Sequence, residues 1–242
     1  MTTSDTSIDP GKRVLKVLSY NIHRGRGLTR RQNTGRVADL IRDINPDVVA
    51  LQEVENSSGS LPASRQLTYL ADRTGLTPIA GPTMFKDGGD YGNAILSRFP
   101  VLDVHRHDLS FGDREARGAL DVVLAFEDTR LRVIATHFGL DGEERRFQKN
   151  RLKEAMSRSN LQPLILMGDM NEWLAMGKTI GFFQNYFGRT PARRTFPAIF
   201  PLFPLDRIFV SPDSLLKKIE TIGTFQARLA SDHLPLLAVL EL

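Results

Sequence analysis

The chain has 242 residues, with 32 Lys and Arg against 28 Asp and Glu, 41% hydrophobic residues and no cysteine. This is globular composition, and it excludes a disordered chain, a collagen-like repeat and a disulfide-stapled mini-protein. Without cysteine there is no thiolate nucleophile, no Cys-bound zinc and no disulfide. Residues 1–12 are polar, lack the apolar centre of a secretory signal, and read as a flexible tail before a single domain over residues 13–242. No apolar run approaches the ~20 residues that span a bilayer. With no export signal, the expected compartment is the cytoplasm.

In chain order, Val14–Tyr20 reads as a strand, apolar on both faces apart from Lys16. Five arginines and no acid follow between Arg24 and Arg36, either a solvated face or a surface that meets phosphate. Val37, Leu40, Ile41 and Ile44 have helical spacing, and Asn45-Pro46 ends that helix. Val48–Leu51 is a short buried strand. Ser64–Thr74 reads as a helix stopped by Gly75. Asn93–Ser97, Val101–Leu109, Ala119–Phe126 and Leu131–Thr136 are strands separated by turn signals. Glu143–Ser159 is a predicted helix, Pro163–Met167 a buried strand, and Met176–Tyr186 contains a further helix. Thr195–Pro204 interleaves Phe and Pro. It reads as a loop over a sheet edge, or as a substrate wall meeting a base or an acyl chain. Leu205–Val210 and Pro235–Leu240 are the last strands. Helices and strands do not alternate regularly, which disfavours an eight-fold βα barrel and favours mixed sheets with outer helices.

Polar residues recur at the strand ends. Asn21 and His23 follow the first strand, Gln52-Glu53 the second, and Thr136-His137 a later one. Gly168-Asp169-Met170-Asn171 follows Leu164–Met167, Asp206 opens the next strand, and Ser231-Asp232-His233 precedes the last. Such groups are held rigidly and reach the rim of a sheet, which suits a preorganised site.

Tyr20-Asn21, Leu51-Gln52-Glu53-Val54, Thr136-His137, Gly168-Asp169-Met170-Asn171, Leu205-Asp206-Arg207 and Ser231-Asp232-His233 occur in an order that resembles the endonuclease/exonuclease/phosphatase superfamily. The likeness runs from about Val14 to Leu242 and is nearest to small bacterial-type members. It implies an α/β (α+β) fold, a four-layer αββα sandwich of two packed mixed sheets with outer helices. It also implies a divalent-metal-dependent phosphoesterase that hydrolyses a phosphodiester by in-line attack of an activated water.

By that resemblance, Glu53, Asn21 and Asp232 hold Mg²⁺ or Mn²⁺, hard ions that favour carboxylate oxygen. Asp169 orients or deprotonates water, and Asn171 positions phosphate. His137 donates to phosphate or the leaving oxygen, and His233 is a base or phosphate contact. Asp206 and Asp232 fix the two histidines. His23, Asn93 and Arg117 contact substrate, Arg117 through its bidentate fork. The position two after Asn21 is acidic in abasic endonucleases and is His23 here. A DNA endonuclease or abasic-site nuclease, and a non-catalytic phosphate-binding module, are the alternatives. The expected partner is a phosphate ester in nucleic acid, a lipid headgroup or a small soluble compound. No obligate protein partner is evident.

Overall fold

The computed structural model of the protein describes residues 13–57, 65–86, 88–174 and 177–242. The N-terminal tail, Ser64 and Met176 lie outside the described residues. Eleven strands form two mixed sheets. The first contains β1 (Val14–Asn21), β2 (Val48–Ser57), β3 (Thr77–Lys86), β4 (Gly89–Ser97), β10 (Leu216–Thr221) and β11 (Leu236–Glu241), in the order β10-β11-β1-β2-β4-β3. The second runs β5 (Val101–Asp108), β6 (Gly118–Phe126), β7 (Thr129–His137), β8 (Leu164–Asp169) and β9 (Asp206–Ser211). β1 and β2 pair in parallel, as do β7 and β8. Each parallel pair needs a crossover. The first crossover carries α1 (Thr34–Ile44) and the second α3 (Gly142–Met156). The other helices are α2 (Gln66–Thr74), α4 (Lys178–Phe187) and α5 (Phe225–Ala230).

The layers follow from the two-residue strand period. Leu15, Val17, Val48 and Ala50 pack between the sheets against Val133, Ala135, Ile165, Met167 and Ile208. The intervening residues Leu18, Tyr20, Val49 and Leu51 face outward, where residues of α1, α2 and α5 cover them. Ile134, Leu166 and Phe209 do the same for the second sheet, under α3 and α4. The result is the expected αββα sandwich. No described helix is long and apolar enough to cross a membrane.

Some expectations shift. The second strand runs on to Ser57, and Gly89 opens the strand expected to start at Asn93. β3, β10 and α5 lie where no element was expected. β3 carries Pro78 and Pro82 and is an edge strand, the place where proline does least harm. β10 is the other edge of the same sheet, and Lys217 and Lys218 mask its strand pattern while guarding an open edge. The helix after Asp141 begins at Gly142, with the Asp141 carboxylate accepting from the Glu143 and Glu144 amides, and ends at Met156. Buried Arg132 grips Asp121 at 3.0 and 2.7 Å and donates to the carbonyls of Ala155, Met156 and Ser159. It thereby satisfies the helix's last acceptors and fixes α3 to the sheet.

Candidate active site

The site continues the row of side chains between the sheets. Leu15, Val17 and Ser19 lead to Asn21 on β1; Val48 and Ala50 lead to Gln52 on β2. Val133 and Ala135 lead to His137 on β7, and Ile165 and Met167 to Asp169 on β8. Register then aligns the ends: Asn21 lies opposite Gln52, His137 opposite Asp169, and Asp169 opposite Asp206. The seam between the sheets is apolar along its length and turns polar at one rim.

Local backbone geometry aims the remaining groups. A register shift in β2 lies between Leu51 and Val54, and Glu53 within it has φ +59°. That left-handed conformation is costly for glutamate and turns its carboxylate out of the strand alternation. Asn171 has φ +47°, a region asparagine tolerates, and it bends the chain directly after Asp169. Gly168 lets β8 approach β7: a Cβ there would lie 1.8 Å from the Thr136 carbonyl oxygen.

Asp169 is the hub. Its Oδ2 accepts from the Asn21 side-chain amide at 3.1 Å, and its Oδ1 accepts from the Asn171 backbone amide at 2.9 Å. His137 Nε2 and His233 Nε2 face the same Oδ2 at 3.6 and 3.7 Å. The Asn21 amide also donates to Glu53 Oε1 at 3.2 Å. His233 Nδ1 donates to Asp206 Oδ2 at 2.8 Å. Asn171 Nδ2 lies 3.1 Å from His137 Nε2 and donates to the Phe138 carbonyl at 2.8 Å. Arg117 Nη1 donates to His137 Nδ1 at 3.0 Å and meets Glu115 Oε1 at 3.1 Å. Asn93 donates to the carbonyl of Gly118, beside Arg117, at 2.9 Å.

Two assignments differ from expectation. Asp206 does hold one histidine, His233. The partner of His137 is a cation, Arg117, because β6 places the guanidinium beside the ring where a carboxylate was expected. Asp232 sits outside this cluster, half-exposed, with Oδ1 3.3 Å from His23 Nδ1. His23 is in turn tied to the Asn21 Oδ1 through its backbone amide at 3.0 Å. The pair His23–Asp232 thus forms an outer tier beside Asn21.

The electrostatics of the two histidines diverge. For His137, burial, then the Arg117 charge, push the imidazole down to about 3, and Asp169 only partly opposes them. For His233, burial acts downward as well, but Asp206 and Asp169 outweigh it and push the ring up to about 10. One ring is therefore neutral and the other cationic across the neutral range. Tyr91 hydrogen-bonds Glu53, and its hydroxyl is held above its usual range by burial and then by that carboxylate. The Arg24 guanidinium lies 4.8 Å from the Tyr91 ring centre. Tyr91, which opens the strand that carries Asn93, and Ser231, the first residue of the Ser-Asp-His triplet, also contribute to the site. The Ser231 hydroxyl donates to the Asn21 carbonyl at 2.7 Å and receives the His233 amide at 3.2 Å. The Ser-Asp-His triplet was their only signal, together with a tyrosine opening a strand.

A buried group whose donor atoms lie within 4.8 Å of one another, Asp169, Asp206 and His233, could hold a metal ion. Asp206 Oδ1 is buried without a hydrogen-bond partner. Glu53, Asp169 and Asp206 bring three carboxylates to this rim against the imidazolium of His233 and the Arg117 guanidinium, which also meets Glu115. A divalent cation fits that charge imbalance and these hard oxygen donors.

The profile of the Endonuclease/Exonuclease/phosphatase family matches residues 18–233. The uncharacterized protein YbhP of Escherichia coli strain K12 is 31% identical over 244 residues, covering 94% of this chain and 96% of its own. An endonuclease/exonuclease/phosphatase from Bacteroides vulgatus superposes with TM-score 0.77 at 23% identity, covering 96% of this chain and 100% of its own. The mannosyl-6-phosphatase Bt3783 of Bacteroides thetaiotaomicron superposes with TM-score 0.75 at 21% identity, covering 94% and 99%. The two structures share the fold; the profile and the relative go further, and the chain belongs to the endonuclease/exonuclease/phosphatase family.

Proposed function

We propose that this protein is a divalent-metal-dependent phosphoesterase, a single domain over residues 13–242, that cleaves a phosphodiester by in-line attack of water. The observation that carries this reading is the convergence of Asp169 with Asn21, Asn171, His137 and the His233–Asp206 pair at one rim. Glu53, next to Asn21, is the proposed holder of Mg²⁺ or Mn²⁺, with Asp232 in the outer tier and the Asp169–Asp206–His233 group as the competing seat. The bound ion supplies charge neutralisation on the phosphoryl oxygens.

The residues then divide the work. Asp169 Oδ1 is held by the Asn171 amide, and Oδ2 accepts from the Asn21 amide with one lone pair, which leaves its second lone pair to orient water and accept its proton. Its burial among donors makes it a fixed acceptor rather than a solvated one. His233 has Nδ1 committed to Asp206, so Nε2 presents toward the pocket and can meet a phosphoryl oxygen. His137 accepts from Arg117 on Nδ1, so Nε2 of the neutral ring is the donor face, suited to a leaving oxygen. Arg117 fixes the His137 ring, Asp206 fixes the His233 ring, and Asn171 is anchored by its bond to the Phe138 carbonyl. Asn93 braces the strand that carries Arg117, and His23 lies at the mouth.

The test is hydrolysis of bis(4-nitrophenyl) phosphate with Mg²⁺ or Mn²⁺, with and without EDTA, beside Asp169→Ala and His233→Ala. The reading expects chelator-sensitive turnover that falls at least ~100-fold in both variants. No metal-dependent turnover above background in the wild type, with His233→Ala indistinguishable from it, would overturn it in favour of a phosphate-binding module.

A further inference from the structure

Resting on the phosphoesterase reading, we infer that the catalytic rim is a docking surface for an anionic lipid bilayer, and that the site takes the phosphoester of a lipid headgroup there. The carrying observation is where the apolar surface falls. Of the twelve large apolar side chains exposed among the described residues, only Leu102, Phe147 and Tyr186 lie away from connections at this rim. Topology fixes that placement. β1, β7, β8, β3 and β10 end at this rim, and β9 and β11 begin at it. Their connections therefore all emerge around the site. Singly scattered apolar residues are ordinary; a one-sided concentration around a site is not.

Part of this crest is built on aromatic contacts beside the site. Phe196 lies 4.8 Å from the His233 ring centre, tilted by 46°, and Trp173 packs edge-on against Phe196 and Phe203 at 5.8 and 4.9 Å. These aromatic contacts flank Ile199 and Phe200, which are 59% and 69% exposed. Arg228 donates to the Ala198 carbonyl, tying this loop to α5. The loop after β1 lies against the end of α5, so closely that a Cβ on Gly27 would come 2.1 Å from the Leu229 carbonyl oxygen. On that loop Arg26, Arg30 and Arg31 are exposed and have no carboxylate partner among the described residues.

Charge and side-chain type select the occupant. Unpaired arginines beside exposed apolar side chains match an anionic interface, where the apolar groups enter the headgroup–acyl boundary and the cations meet lipid phosphates. A single-stranded nucleic acid would use the same cations, but it needs planar stacking faces. Phe85, Trp173, Phe200 and Phe225 could offer such faces, but Leu28, Leu140, Leu174, Ile199 and Leu202, the larger part of the set, are aliphatic and suit an acyl boundary.

Flotation with phosphatidylcholine vesicles, with and without phosphatidylglycerol, tests this. Two exposed-surface variants are compared, Ile199→Ser/Phe200→Ser and Arg30→Gln/Arg31→Gln. Wild type should float with the anionic vesicles. The serine variant should lose at least tenfold in bound fraction, and the glutamine variant should lose its preference for phosphatidylglycerol. Headgroup release from vesicles should fall in parallel, while Mn²⁺-dependent hydrolysis of the soluble aryl diester stays within twofold. Wild type that fails to float, a serine variant that floats equally, or substitutions that weaken only oligonucleotide binding each overturn the inference. A wild type that hydrolyses no soluble diester strikes the phosphoesterase reading instead, and flotation reports on the docking surface independently.

Discussion

The Arg117 guanidinium donates to Nδ1 of His137 at 3.0 Å. A guanidinium is a donor only, so that nitrogen must keep its lone pair, and Nε2 carries the proton of the neutral ring. The arrangement sets the tautomer with a cation where a carboxylate would have made the ring more basic. Replacing Arg117 with Ala removes one of the charges that depress the imidazole and releases the tautomer. The His137 ring should then titrate above about 3, still below an ordinary histidine because burial persists. Diester turnover at pH 7 should fall ~10²-fold, and Arg117→Lys should recover part of it. Ring-resolved NMR titration together with pH–rate profiles checks this. A His137 titration unmoved by Arg117→Ala would refute the assignment.

His233 provides a linkage prediction for the metal-free protein. Its folded value is raised to about 10 from an ordinary 6.5, the outcome of Asp206 and Asp169 overcoming burial. A group raised on folding contributes stability that is complete below its unfolded value and is lost as pH climbs through the folded one. With EDTA present, stability should therefore decline between about pH 6.5 and 10 by an amount on the order of a few kcal/mol. Asp206→Asn should flatten that decline, since burial then dominates and the ring gains nothing from its proton. Urea unfolding at stepped pH measures both curves. Parallel curves for the two proteins would rule the pair out as the source.

These two histidines also mark how far the linear chain could be read. Asn21, His137 and Asp169 were visible because an apolar run followed by a polar residue announces a strand end, and strand ends of one sheet layer share a rim. The partner of His137 was not visible. It depends on β6 lying beside β7, and nothing local in residues 115–120 states that pairing. The surroundings of Asp232 were hidden for a similar reason: it adjoins His233 in sequence, but successive residues point apart, and its carboxylate lies 3.3 Å from His23 Nδ1. β3 escaped notice because prolines are tolerated at an edge, and β10 because lysines guard one. The apolar crest was anticipated only at Thr195–Pro204. The contributions of Trp173, Phe225 and Leu28 appear only once topology brings their loops to the same side.

Glu53 yields a prediction about metal removal. Its backbone is held at φ +59°, a conformation that persists only when surrounding contacts impose it and that presents the carboxylate to the pocket. If Glu53 is a principal ligand, Mg²⁺ or Mn²⁺ binding only the folded state should raise the melting temperature. Each tenfold excess over Kd adds about 1.4 kcal/mol, or roughly 2–5 °C for a chain of this size. Glu53→Gln keeps the Asn21 and Tyr91 neighbours but removes the charge, and it should abolish that thermal shift. Differential scanning with chelated and metal-loaded protein decides the matter. A full shift retained in Glu53→Gln, and lost in Asp206→Asn, would move the ion to the Asp169–Asp206–His233 group.

Gly168 joins the fold to the site, and its substitution should separate stability from chemistry less than any other here. Its φ is +152° and a Cβ would meet the Thr136 carbonyl oxygen at 1.8 Å. No side-chain rotation relieves a clash with backbone, so Gly168→Ala must part β7 from β8 or twist the end of β8. Either response displaces Asp169 from His137, its neighbour across that parallel pair. The expected cost is about 2–4 kcal/mol, in the class of overpacked core positions. Turnover of the residual folded protein should also fall by more than tenfold, because angstrom-scale misplacement of a reacting group is expensive. Thermal unfolding and single-turnover diester hydrolysis on the same preparation test the coupling. Stability lost with the rate per folded molecule intact would show that Asp169 is positioned by its hydrogen bonds to Asn21 and Asn171 rather than by the strand.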